Sequence, residues 1–403
     1  MNPPENHGPV VHDWAVTPLP GTDFDPLPHR LLREEPVARV RLRHGEGHAW
    51  LVTRYEDVKR IASDPRMSRA LTVGRPITSM TPHNLAPAGG VGRADPPDHT
   101  RLRKLIAPTF GRRRMRALRE HTRLRAEDLA ARTLDAGPPA DLTTTFIGPL
   151  SATVVAELLG VPAADLDRVD RWREGILSSD TTAAEGESVK KEIAGYFADL
   201  ARHRADHPGD DLISELAAAR ADGGISTPEL VSTAVMLTLN GLDAVRNIVA
   251  TMLYVLLVHP DQTRKLRAEP DRLPGAVDEL LRYIPQRNGV GMPRVATADV
   301  EVGGVTIREG EAVYVFYPAA NRDPSVYTEP DRLDLTRREA PHLAFGHGAH
   351  YCAGAQLARM EAEVMLSTLL HRFPGLATAV QPERIEWRRG TVNRGPVSLP
   401  VTW

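Results

Sequence analysis

The chain has 403 residues, with 50 Lys and Arg against 52 Asp and Glu, for a formal charge of −2. Hydrophobic residues make up 41% and charged ones 25%, the balance of a folded globular chain rather than a disordered one. Near-neutrality leaves no basic footprint for nucleic acid, and the single cysteine, Cys352, excludes an intramolecular disulfide and a disulfide-stapled secreted domain.

Read from the start, Met1–His7 lacks a charged-then-apolar pattern, so no signal peptide is expected. Ala38–Leu42 and Ala49–Thr53 read as short strands, and strand-like segments return across Val300–Tyr317. Pro/Gly punctuation at Gly74–Pro97, Pro138–Pro139 and Pro208–Gly224 reads as loops between helical blocks. From Arg112 to Tyr283 apolar residues recur at helical spacing. The longest predicted helix starts at Ser226-Thr227-Pro228-Glu229, a capping-box spacing, and stops at His259-Pro260. Its polar residues Asn240, Asp243, Arg246 and Asn247 interrupt an apolar middle, and buried polar groups need partners. The apolar run Ile248–Val258 is too short to span a bilayer, so a cytoplasmic protein without a membrane partner is expected. These segments predict a mainly α protein with a minor β region, in one domain over residues 1–403.

The densest chemical signal is Phe345-Gly346-His347-Gly348-Ala349-His350-Tyr351-Cys352-Ala353-Gly354, followed by an amphipathic helix from Ala355 to His371. Glycines at this density let a backbone turn tightly and approach a flat ligand. Cys352 sits just ahead of a helix N-terminus, where free N–H groups and the helix dipole favour a thiolate. A lone cysteine is ordinarily an inert small hydrophobe; the fixed pattern around this one argues otherwise.

Phe345-Gly-x-Gly-x-His-x-Cys352-x-Gly354 resembles the haem-binding loop of the cytochrome P450 superfamily, bacterial soluble type. The resemblance runs over essentially the whole chain. It implies the cytochrome P450 fold, a single triangular haem-binding domain, and haem b ligated by the Cys352 thiolate. Phe345, Gly346, His350 and Gly354 would line the cofactor. Glu279-Leu280-Leu281-Arg282 matches the Glu-x-x-Arg signature, and Glu279, Arg282 and Arg332 resemble the family's structural triad. His99 and Arg103, one helical turn apart, together with Arg294 and His350, match contacts to the two haem propionates; any one alone could be a solvated charge.

The long helix carries Asn240-Gly241-Leu242-Asp243-Ala244, where the family typically has Ala/Gly-Gly-x-Asp/Glu-Thr. Asp243 keeps the acid of the proton-delivery pair and Gly241 is expected to leave room for dioxygen. Ala244 loses the alcohol, so an ordered water or a substrate hydroxyl, amide or indole N–H must replace it. Similar replacements occur in the biflaviolin synthase-like group, including relatives that couple tryptophan-containing diketopiperazines. Gly45–Arg54, Arg287–Gly291 and Arg394–Trp403 carry that subgroup resemblance. It implies a haem-thiolate oxidase or monooxygenase of bacterial natural-product biosynthesis. Its reaction would be oxidative C–C or C–N coupling of aromatic substrates, such as those diketopiperazines or polyketide naphthols. The alternative is an ordinary hydroxylating or epoxidising monooxygenase; a catalytically silent haem-domain partner ranks last, because Cys352 and Asp243 are retained.

Arg287 and Asn288 are expected to face the substrate, with a propionate contact or a surface charge equally open for Arg287. Gly74–Val91 and Arg171–Glu192 are expected to roof the pocket. The chain leaves no residues for a flavin or iron–sulfur domain, so a ferredoxin and ferredoxin reductase would supply electrons for O2. They would dock near Cys352, at Arg112, Arg113 and Arg114.

Overall fold

The structure, a computed structural model, describes residues 10–16, 19–82, 89–178 and 180–403. The reading of Met1–His7 and part of the expected Gly74–Val91 roof lie outside the described residues. Among the described residues helices dominate, and the strands form a six-stranded, a three-stranded and a two-stranded sheet. Six strands form the main sheet, in the order Val11–Asp13, Val37–Arg41, Ala49–Val52, Ala312–Val315, Arg294–Ala296 and Met67–Ser68. The Ala49–Val52 strand runs parallel to Ala312–Val315 in the register Trp50 to Val313, joining segments some 260 residues apart. All four residues of Ala49–Val52 are buried, so this strand is covered on both faces.

The long helix runs Thr227–Val258. Ser226 caps it as the spacing predicts: its hydroxyl accepts from the Glu229 N–H at 3.4 Å while Glu229 accepts from the Ser226 N–H at 2.8 Å. By length and composition this continuous helix could cross a membrane, which the shorter run Ile248–Val258 did not suggest. It is instead a core helix. Two thirds of its most apolar window (67%) is buried inside the fold, and Val249, Met252, Leu253 and Leu256 anchor the largest apolar cluster. Helices Arg112–Ala136, Gly148–Leu159, Leu273–Tyr283 and Ala355–Arg372 pack around that cluster. Burial of this extent is the main favourable term in folding.

The expected loop Pro208–Gly224 contains a helix, Leu212–Ala221. Pro208-Gly209 and Gly223-Gly224 mark only its ends. Asp211 caps it by accepting from the Ser214 N–H at 2.8 Å, and the sequence between is rich in Leu and Ala, strong helix formers.

The Glu-x-x-Arg helix is Leu273–Tyr283. Its Glu279 and Arg282 form a bidentate pair, at 2.7 and 2.9 Å, with both side chains about 2% exposed. The third cation is Arg337, not Arg332. Arg337 Nε donates to Glu279 at 3.2 Å and its side chain is 7% exposed, whereas the Arg332 side chain is 60% exposed and pairs with Glu329. Arg332 contributes its backbone carbonyl, which accepts from Arg282 and Arg337. Tertiary packing turned the Arg332 side chain outward and brought Arg337, five residues on, to the carboxylate.

Candidate active site

The cysteine loop is closed by its own backbone. The Cys352 N–H donates to the Phe345 carbonyl at 2.9 Å, and the Tyr351 N–H donates to that of Gly348 at 3.0 Å. Gly346 and Gly348 have φ of +78° and +73°, and a Cβ at Gly348 would come within 2.5 Å of the Ala62 carbonyl oxygen. Gly354 is different: its φ is ordinary and the nearest atom to a Cβ would be Phe110 at 3.8 Å, so neither torsion nor packing demands glycine there. The helix Ala355–Arg372 starts just beyond.

Cys352 is accessible to solvent, yet surrounding protein strongly desolvates its sulfur. Burial pushes the thiol above its usual range, against the opposing pull of the Gly354 N–H and of Arg103, Arg287 and Arg359.

Four expected anion-binding side chains converge with a fifth that the sequence did not single out, Arg69. The His99 and His350 rings pack at 4.2 Å between centroids, tilted by 54°. Burial, reinforced by Arg103 and Arg69, pushes His99 down to about 4; burial, with Arg69, His99, Arg294 and Arg103, pushes His350 down to about 2. Arg69 is itself lowered to about 9 by burial and by Arg294. Arg294 is 1% exposed and both its terminal nitrogens are buried without a partner among the described residues. A buried guanidinium fork with no acceptor costs free energy unless an anion is meant to fill it. Cations that depress one another, beside a thiol on a glycine-rich loop, fit a flat cofactor bearing two carboxylates. No spacing rule pointed to Arg69, which reaches the cluster by tertiary packing.

On the long helix, Asn240 and Ala244 are accessible and one turn apart, so they share a face within an otherwise buried helix. The Asn240 amide donates to the Met236 carbonyl at 2.7 Å. Asp243 is 3% exposed and held from two sides: Arg173 donates to one oxygen at 2.5 Å and Asn393 to the other at 2.6 Å. The Asn247 amide donates to the Asp243 carbonyl at 3.0 Å. Neither Arg173 nor Asn393 was legible from sequence, since they lie 70 and 150 residues away. The absent Cβ of Gly241 faces Val155, at 3.1 Å, so this glycine serves close packing against the helix Gly148–Leu159.

Arg287 lies within electrostatic reach of both Cys352 and Asp243, and burial lowers its pKa. Its neighbour Asn288 spends its amide on the Thr391 carbonyl at 3.1 Å, which ties two chain segments together and leaves that N–H group less free for a substrate. The region Arg171–Glu192 walls a cavity of about 380 Å3 through Arg173, Glu174, Leu177 and Thr181, with Asp243 across from them. At the expected docking face Arg112 and Arg113 are exposed, but Arg114 is engaged by Glu215 at 2.8 Å and Asp210 at 3.4 Å.

Comparison with known proteins gives a consistent set of likenesses. The family model described as cytochrome P450 matches residues 187–396. The chain is 45% identical over 395 residues to biflaviolin synthase of Streptomyces coelicolor, covering 98% of this chain and 97% of that one. It is 45% identical over 382 residues to nocardicin C N-oxygenase of Nocardia uniformis subsp. tsuyamanensis, covering 94% and 96%. Among solved structures, cytochrome P450mel 107F1, described as having biaryl coupling reactivity, superposes with a TM-score of 0.95 at 42% identity, covering 98% of this chain and 100% of that one.

Proposed function

Because the chain belongs to the cytochrome P450 family, we propose that it is an oxidase that couples electron-rich aromatic rings of natural-product intermediates through C–C or C–N bonds. Its broader class is that of P450 monooxygenases of bacterial secondary metabolism, and family members bind haem b through a cysteine thiolate. The observation that carries the coupling reading is Ala244: an accessible position on the long helix that offers no hydroxyl where the family typically has threonine. Coupling removes one hydrogen from each of two rings and joins the two ring atoms, the two hydrogens leaving with dioxygen as water while the redox partner supplies two electrons, and such a substrate brings its own O–H or N–H to the site. The 45% identity to a biflaviolin synthase and the likeness to a biaryl-coupling structure support the same reading.

The chain has one cysteine, so Cys352 is the residue that supplies the thiolate. His99, Arg103, Arg294, His350 and Arg69 hold the propionates. Haem held in this way would supply dioxygen activation. The protein's own contribution is positioning and proton supply. Arg173 and Asn393 fix both oxygens of Asp243, so a proton reaches the site through water or substrate hydrogen-bonded at Asn240 and Asp243. Arg287 orients carbonyl or hydroxyl groups of the substrate. A ferredoxin and its reductase deliver electrons at the exposed Arg112 and Arg113.

Product mass tests the reading: a dimer less two hydrogens supports coupling, and a gain of one oxygen supports the second reading, hydroxylation or N-oxygenation, which the 45% identity to nocardicin C N-oxygenase favours. Asp243→Asn is expected to lower turnover on the order of 10²-fold while substrate affinity stays within about twofold. The fold should tolerate it, because Arg173 keeps Asp170 at 2.7 Å and Glu174 at 3.3 Å. An unchanged turnover would remove Asp243 from proton delivery. Ala244→Thr should leave the thermal midpoint and the coupling efficiency close to wild type; a large gain in efficiency would contradict substrate or water already filling the role.

A further inference from the structure

The cavity of about 380 Å3 beside Asp243 is lined by two cations, Arg173 and Arg388, and two carboxylates, Glu174 and Asp243. Arg173 takes all the nearby carboxylates: Asp170 at 2.7 Å, Glu174 at 3.3 Å and Asp243 at 2.5 Å. Arg388 also lines the cavity, yet its side chain has no hydrogen-bond or ion-pair partner among the described residues, and its Nε is buried and unsatisfied. Arg246, one turn beyond Asp243 on the long helix, is equally without a partner. At Arg388, burial lowers the pKa first. The neighbouring Arg246 and Arg173 lower it further, against the opposing pull of Asp243 and Glu174. The guanidinium therefore keeps donors that no carboxylate among the described residues takes up.

We propose that Arg388 is an anion subsite of the substrate cavity, receiving a carboxylate carried by the aromatic substrate. This deepens the oxidative reading above and rests on it. A carboxylate matches the planar fork of a guanidinium and forms charge-assisted hydrogen bonds roughly twice as strong as neutral ones. Leu177 offers an apolar wall for an attached ring, and the volume falls within the range of small-ligand pockets. Asp243 forms another wall, so a substrate held at Arg388 lies against the Asp243 side of the long helix. The subsite selects for charge at the end of the molecule away from the oxidised ring.

The test is calorimetric titration of the haem-loaded protein with N-acetyltryptophan and its neutral amide, which share the indole and differ in the carboxylate. The carboxylate is expected to bind about tenfold more tightly, or ~1.4 kcal/mol. Arg388→Gln should bring the two probes to within about twofold, without changing the amide's affinity, and Arg388→Lys should keep part of the preference. A carboxylate that does not bind, that binds no better than the amide, or whose preference survives Arg388→Gln overturns the proposal. The reduced carbon monoxide spectrum separates the two levels of inference. A thiolate-type band with no probe preference removes the subsite alone, whereas a wild-type protein without that band removes the oxidative reading.

Discussion

Replacing Cys352 with alanine is expected to abolish the thiolate-type band in the reduced carbon monoxide spectrum and to reduce turnover to background. The chain has no other cysteine to substitute. The anion-binding cluster is untouched by the change, because His99, Arg69 and Arg294 lie on other segments and His350 belongs to the loop whose backbone closure at Phe345 persists. The variant should therefore still take up some haem through its carboxylates, with the iron no longer bound to sulfur. Loss of the band with haem retained separates ligation from cofactor capture. Undiminished turnover, or a thiolate-type spectrum in the variant, would falsify the assignment of Cys352 as the axial ligand.

The second large effect concerns stability. Glu279→Ala should destabilise the fold by about 3–5 kcal/mol, because Arg282 and Arg337 would be left buried without their carboxylate. That is a large share of the total stability of a typical domain. The effect should reach the cysteine loop. Arg282 donates to the Asn321 carbonyl at 2.9 Å, and the Asn321 side-chain oxygen accepts from the Leu343 N–H at 2.6 Å, two residues before Phe345. Chemical denaturation with haem content followed in parallel would read both. Arg337→Ala should behave like a weaker version, while Arg332→Ala should stay within about 0.5 kcal/mol, as for an exposed side chain. An Arg332 variant as damaged as the Arg337 one would restore Arg332 to the triad.

Local signals were read well. Ser226 and Glu229 marked the start of the long helix, and the glycines at 346 and 348 marked a turn that other residues could adopt only with strain. Glu279 and Arg282 lie three residues apart on one helix, so their pairing follows from helical geometry alone. Ala38–Leu42 and Ala49–Thr53 also read correctly to within a residue, since alternating and β-branched segments favour strands. The helix Leu212–Ala221 was hidden because the Pro and Gly at its ends drew the whole segment into a loop.

The helix caps, the mainly helical architecture and the turn of the Cys352 loop were legible in the sequence, because each depends on contacts within a few residues of chain. Only the tertiary structure decided that Arg337 and not Arg332 completes the buried triad, that Arg69 joins the cation cluster, and that Arg173 and Asn393 grip Asp243 from 70 and 150 residues away. The reason is physical. A side chain's partner across such distances is set by which helices and strands pack together, and several arginines of equal reach compete for one carboxylate until packing buries one and exposes another.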